Sequence, residues 1–210
     1  MSAFWIGLIA VLAALAASGA WLFSGRNRDV VSEVTTLNPE GDVGTALVVY
    51  HPGKSDFQRR VFSGFAEGLV ANGWRVEMTT PSSQTPTDLA GYDFLVLGGP
   101  TYGFAPNRPI QRYLRRLGDL GGKRTVTIIT ALGMGERSTG MMERLVRQAN
   151  GALVRALVLY KARPNDDENP VDGKQNQDIA VEMATRAANE LATRATNELA
   201  VTAVQGQATG

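Results

Sequence analysis

The chain has 210 residues, 44% hydrophobic and 20% charged, with a formal net charge of +1. That suits one globular domain plus an appendage, and no overall field recommends nucleic acid as a partner. With no cysteine and one histidine, His51, disulfides, thiolate nucleophiles, Cys-ligated zinc or iron–sulfur clusters and multi-histidine metal sites are excluded. Chemistry must come from a cofactor, from carboxylates and hydroxyls, or not at all.

Taken in chain order, the first element is apolar. Ala3 to Phe23 carries no charged residue and is long enough to cross the hydrocarbon of a bilayer as a helix. Trp5 and Trp21 stand near its ends, where amphipathic rings favour the interface, and Arg26 and Arg28 follow. Ala17, Ser18, Gly19 and Ala20 would also suit a cleavage site, but no basic side chain precedes the apolar run as a signal peptide would have it. The expectation is one transmembrane anchor over residues 1–25, with the lipid bilayer contacted through residues 3–23. The arginines place the remainder on the cytoplasmic side of this single-pass membrane protein. Residues 26–43, with Pro39 and Gly41, read as a linker without its own fold.

From Gly44 strands and helices alternate. Ala46–Tyr50 is a continuous apolar run, as expected of a strand covered on both faces. Phe57, Val61, Phe62, Phe65 and Leu69 recur at helical spacing, and Asn72-Gly73 stops that helix. Further strands are predicted at Arg75–Met78, Phe94–Gly98, Thr125–Thr130 and Leu153–Tyr160. Helices are predicted through Ile110, Tyr113, Leu114 and Leu117, and through Met141, Met142, Leu145 and Val146. The last spans Gln177 to Ala200, with a seam at Ala180, Ala184, Ala188, Leu191, Ala195 and Leu199. The near-repeat within it (residues 184–191 and 192–199) extends a helix and is too short for a solenoid. The domain is thus expected over 44–200, with a frayed tail over 201–210. Parallel neighbours need long crossovers, so this alternation gives an α/β fold with a parallel sheet. Ligands bind such sheets beyond the carboxyl ends of the strands, so the loops there carry the chemistry.

After the third strand comes Gly98-Gly99-Pro100-Thr101-Tyr102-Gly103-Phe104-Ala105-Pro106. A strand ending Gly-Gly-Pro-Thr-Tyr-Gly, then a proline and a new helix, resembles the flavin-ring loop of flavodoxins. The resemblance covers Gly44 to Ala200 and implies a doubly wound, five-stranded parallel sheet in the order 2-1-3-4-5, preceded here by one transmembrane helix. It implies FMN as cofactor. Pro100, Thr101, Tyr102, Gly103 and Phe104 would then wrap the ring, with Tyr102 the first stacking candidate and Phe104 the second. Glycine and proline allow close backbone approach, and an aromatic face offers large contact area at small entropic cost. A plain strand-to-helix turn with a half-buried tyrosine is the competing reading.

The turn after the first strand, His51-Pro52-Gly53-Lys54-Ser55-Asp56-Phe57, occupies the position of the family's hydroxyl-rich phosphate turn at a helix N-terminus, a place that attracts anions. Gly53 and Ser55 suit a phosphate and Lys54 adds charge. Gly53 and Phe57 replace two of the family's hydroxyls, and Asp56 either repels a dianion or serves as the N-cap. His51 either lines the phosphate pocket or is a surface turn residue. After the fourth strand, Leu132-Gly133-Met134-Gly135 resembles the family's second flavin-contacting loop, and Met134 suits either packing on a ring or filling a gap.

Two functions follow. One is a membrane-tethered, FMN-binding electron-transfer protein or oxidoreductase, served by a redox partner at the membrane such as a quinone or a membrane-bound reductase or oxidase. The resemblance extends to relatives that reduce quinones or oxidise protoporphyrinogen, and nothing selects among them. The other is a scaffold that has lost or weakened FMN. It would use Arg108, Arg112, Arg115 and Arg116, which share one helix face, as a docking surface or merely present them to solvent. A receiver domain lacks its carboxylates at Tyr50-His51, and Gly53-Lys54-Ser55 lacks the upstream glycine of a P-loop.

Overall fold

The computed structural model describes residues 5, 7–14, 29–165 and 175–207, with residues 198–207 described by backbone only. Its elements in chain order are β1 (Thr35–Leu37), β2 (Thr45–Tyr50), α1 (Asp56–Val70), β3 (Arg75–Thr79), β4 (Phe94–Tyr102) and β5 (Ala105–Pro106). There follow α2 (Arg108–Leu117), β6 (Arg124–Ala131), α3 (Glu136–Gln148), β7 (Ala152–Tyr160) and α4 (Asn176–Gln207).

The strands form one seven-stranded sheet, ordered β1-β3-β2-β4-β6-β7 with β5 folded back on β4. Strands β3, β2, β4, β6 and β7 pair in parallel, whereas β1 on β3 and β5 on β4 are antiparallel. The expected purely parallel, five-stranded sheet is therefore corrected to a mixed one whose full order is longer. The two extra strands have three and two residues, too few to show any period in a sequence.

Alternate residues of each strand feed two cores. On one face Ala46, Val48, Val76, Phe94 and Val96 pack against the apolar stripe of α1 and the alanine seam of α4. On the other, Leu47, Val49, Leu95 and Leu97 pack against Ile110 and Tyr113 of α2 and Met142 and Val146 of α3. Each fully buried Val, Leu or Phe contributes roughly 1.5–3 kcal/mol. Two layers of helix cover the faces of the sheet, and the turns at the carboxyl ends of its strands lie beyond that cover. Gly64 and Gly68 of α1 let α4 close in, since a Cβ there would stand 2.7 Å from Val181 Cγ1 or 2.6 Å from Thr185 O.

The stretch expected to be a loose linker is docked where it is described. Beyond β1, Thr80 N donates to Ser32 Oγ at 3.1 Å and Asn38 Nδ2 to Trp74 O at 3.1 Å, and Asp29 pairs with Arg112. Short polar side chains made these bonds with residues 36 to 83 positions away, which no local pattern reveals. Helix α4 runs to Gln207, past the expected end at Ala200. The expected anchor over residues 3–23 falls mostly outside the described residues, and among the described residues no helix is long and apolar enough to cross a membrane.

Candidate functional site

The turns after β2, β4, β6 and β7 converge at the carboxyl edge. The first is rigid. His51 is 2% exposed; its N–H donates to Gly98 O at 3.0 Å, and its Nδ1 accepts from Gly53 N at 3.0 Å. His51 is thus neither a surface residue nor part of a pocket wall; it holds the turn shut and uses one amide that an anion would have taken. Gly53 has φ +67°, and a Cβ on it would stand 3.2 Å from Pro100 Cγ. The N-cap of α1 is Ser55, not Asp56. The Asp56 carboxylate pairs along the helix with Arg59 at 2.5 Å, so it does not face the cavity behind Ser55. In the orientation that satisfies its amide, Gln58 donates to Ser55 O at 2.7 Å and Ser55 Oγ at 3.0 Å, which leaves the Ser55 proton to point elsewhere.

The loop after β4 is a two-residue hairpin. Thr101 pairs with Pro106 and Tyr102 with Ala105, leaving Gly103 (φ 57°) and Phe104 (φ 62°) at its tip. Left-handed backbone at both positions is the hairpin turn whose twist matches its strands, and glycine normally serves there. A phenylalanine in that region carries strain of about 1–2 kcal/mol and is held by the pairing on either side. Behind the hairpin, Gly98 is obligatory: a Cβ would lie 1.8 Å from Ile128 O. Asn107 closes the loop by capping α2, its Oδ1 accepting from Ile110 N at 3.1 Å.

The turn after β7 is pinned on the turn after β6. Lys161 N donates to Ala131 O at 2.8 Å, and Ala162 N and Arg163 N donate to Leu132 O at 2.9 and 3.2 Å. Asn165 and Asn176 both bond Tyr160 O, at 2.7 and 3.0 Å, fixing the same turn from below. Glu136, at the start of α3, accepts from Tyr160 Oη at 2.7 Å and Arg163 at 2.6 Å. The tyrosine bond above all, then backbone amides and Arg163, holds the Glu136 carboxyl down at about 2. Burial and that same bond push the Tyr160 hydroxyl up to about 12.

Two adjoining cavities result. The inner, about 250 Å³, is walled by Lys54, Ser55, Phe57 and Gln58, by Pro100, Thr101 and Tyr102, and by Thr130, Ala131, Leu132 and Lys161. The outer, about 550 Å³, is lined by Thr101, Gly103, Phe104, Leu132, Gly133 and Met134, with Ala162 and Arg163. Thr101 and Leu132 belong to both, so the two form one continuous cleft. Most of the expected site residues meet there; His51, Gly53, Asp56 and Gly135 do not line either cavity. Tyr102 lies on the inner cavity and Phe104 on the outer. Phe104, Leu132 and Met134 are 50%, 70% and 63% exposed, an apolar rim of the kind that binding surfaces present. Thr130, Lys161 and Arg163 carry no mark in the sequence pattern: Thr130 reads as an interior strand residue, and Tyr160-Lys161-Ala162-Arg163 has neither glycine nor proline to flag a binding turn.

The cleft suits a flat apolar ligand with an anionic end. Thr130 is fully buried on the inner wall, and its hydroxyl has no hydrogen-bond partner among the described residues. An orphaned buried hydroxyl costs about 1–3 kcal/mol unless something enters to meet it. A third cavity of about 370 Å³ lies apart, between α2 and the stretch after β3. Its arginines have structural duties: Arg116 donates to Ser82 O and Thr85 O at 2.6 and 2.7 Å, and Arg112 pairs with Asp29. The arginine face of α2 is therefore partly consumed in holding the fold.

No protein-family model matches the sequence, and no curated protein matches it either. Solved structures do match by shape. The chain is similar to a flavodoxin from the domain Archaea, at 13% identity and TM-score 0.55, over 72% of this chain and 98% of that one. A short-chain flavodoxin associated with a bacterial microcompartment matches at 19% identity and TM-score 0.55, over 72% and 98%. Oxidised flavodoxin 2 from Bacillus cereus matches at 19% identity and TM-score 0.55, over 73% and 98%. The fold is flavodoxin-like. At these identities the likeness concerns the fold alone, and function has to be argued from the cleft.

Proposed function

We propose that this chain is an FMN-binding electron-transfer protein or oxidoreductase, and that the cleft at the carboxyl edge holds the cofactor. The observation that carries this reading is the joined pair of cavities: a pocket lined by two lysines at a helix N-terminus adjoins a more apolar groove rimmed by an aromatic ring. FMN, when bound, supplies one- and two-electron chemistry. The chain's own part is to bind and orient. Lys54 and Ser55 receive the phosphate end, where the start of α1 favours negative charge. Phe104 and Met134 flank the ring from the β4–β5 and β6–α3 turns, while Gly103 and Gly133 let backbone come close. Exposure of that rim leaves one edge open to electron exchange.

The apolar segment 3–23 is proposed to anchor the chain, with the folded domain on the cytoplasmic side. Tethering raises the local concentration of partners in the same plane, so the redox partner is a quinone or a membrane-bound reductase or oxidase. Detergent-solubilised full-length chain titrated with FMN tests the cofactor. The expected result is quenched flavin fluorescence and a shifted visible spectrum. Absence of both at saturating FMN would favour the other reading, a scaffold on this fold, which the capture of the Gly53 amide by His51 motivates. Alkaline carbonate extraction of cell membranes tests the anchor; release of the chain into the supernatant would overturn it.

A further inference from the structure

The β7–α4 turn contributes a residue to the cleft that neither the sequence pattern nor the fold assigns. Lys161 lines the inner cavity together with Lys54, Ser55 and Thr130. Its backbone is fixed by the bond from Lys161 N to Ala131 O at 2.8 Å, and the next two amides are tied to Leu132 O. The asparagine pair beneath Tyr160 fixes the same turn from the other side. A lysine on a mobile surface turn would carry little information; this one stems from a braced backbone against a pocket already lined by another lysine.

Among the described residues, Lys54 and Lys161 are the charged side chains that line the pocket, and the carboxylate of Asp56, two residues from Lys54, pairs with Arg59. The turn after β2 meanwhile gives up a backbone amide to His51 and places Phe57 where a hydroxyl would help an anion. Two cations around a pocket poor in hydroxyls compensate for that loss, because charge-assisted bonds to a phosphate are roughly twice as strong as neutral ones. Thr130 offers a further donor: the residue lines the same cavity, and its buried hydroxyl has no partner among the described residues.

Resting on the FMN reading, we infer that Lys161, with Thr130, completes a cationic clamp for a dianionic phosphate monoester, so that the chain selects phosphorylated flavin by charge rather than by a hydroxyl-rich turn. Full-length chain titrated with FMN and with riboflavin, followed by flavin fluorescence at two salt concentrations, tests this. FMN should bind at least about tenfold more tightly than riboflavin, with an advantage that shrinks as salt rises. Lys161→Met should weaken FMN about tenfold to a hundredfold and leave riboflavin within about twofold. Lys161→Arg should restore most of the loss. Thr130→Val, which removes an unmet hydroxyl, should leave the ligand-free protein at least as stable while weakening FMN severalfold. Equal loss of FMN and riboflavin in Lys161→Met, or no loss of either, would overturn the clamp and leave the flavin reading standing. Wild-type chain that binds neither flavin would overturn both.

Discussion

The inner and outer halves of the cleft share Thr101 and Leu132 but are built on opposite terms. The inner half carries the charge and is braced: Gly53, His51 and Gly98 interlock behind it, and two lysines line it. The outer half is open and apolar, and its hairpin tip keeps Phe104 in a backbone conformation that phenylalanine resists. Charge needs fixed partners in a sheltered place, whereas a flat ring needs area and an unobstructed edge. Strain tolerated at Phe104 and nowhere on the inner wall marks the hairpin tip as the part shaped for contact rather than for stability.

That contrast can be broken most severely at the shared floor. Gly98→Ala would drive a Cβ to 1.8 Å from Ile128 O, prising β4 from β6. A destabilisation of about 4 kcal/mol or more is expected, since both backbones must move; thermal unfolding measures it, and a near-normal midpoint would show that the floor can relax. Next in size, Phe104→Ala should weaken FMN about tenfold, through lost contact area on the ring. Tyr102→Ala should cost less, because Tyr102 lies on the inner cavity; flavin titration of both variants decides, and the reverse order would return the stacking role to Tyr102. Sharper still is Phe104→Gly against Phe104→Ala. Both lose the ring, but glycine accepts φ 62° and should leave the protein more stable by about 1 kcal/mol, read from denaturant midpoints.

The smallest expected effect lies at the rim. Glu136 titrates at about 2 in the folded chain instead of 4.5. A depressed carboxyl stabilises the fold above its unfolded value, so that contribution is present above pH 4.5 and is lost as pH falls through about 2. Tyr160, raised from 10.0 to about 12, acts with the opposite sign: its contribution is complete below pH 10 and lost as pH rises through 12. Glu136→Gln should flatten the acid limb of the unfolding curve between pH 4.5 and 2, and it should leave the inner cavity's affinity for FMN unchanged. An acid limb identical to wild type would mean that the Glu136–Tyr160–Arg163 cluster does not steady the turn.

Legibility in the sequence varied with the range of the interaction. The strands at Ala46–Tyr50 and Phe94–Gly98 and the stripe on α1 were visible because burial on both faces imposes a local pattern. The Gly-Gly-Pro-Thr-Tyr-Gly run pointed to the cleft because tight turns admit few residue types. Hidden were β1 and the docking of residues 29–38, which depend on partners tens of positions away, and β5, whose two residues are too few to show a period. So were the commitments of Arg112 and Arg116, which looked like a free face on a helical wheel until Asp29 and the carbonyls of Ser82 and Thr85 were placed beside them.

By itself, the order of apolar runs and breaks determined an α/β sheet with its ligand edge at the turns after the strands, since periodic burial and turn chemistry are local properties. Only the tertiary structure decided which turn residues face the cleft. It kept His51 and Asp56 out of the cavity linings and brought Thr130, Lys161 and Arg163 into them, because side-chain direction follows from the register of parallel strands and from bonds such as Lys161 N to Ala131 O, which join segments some thirty residues apart.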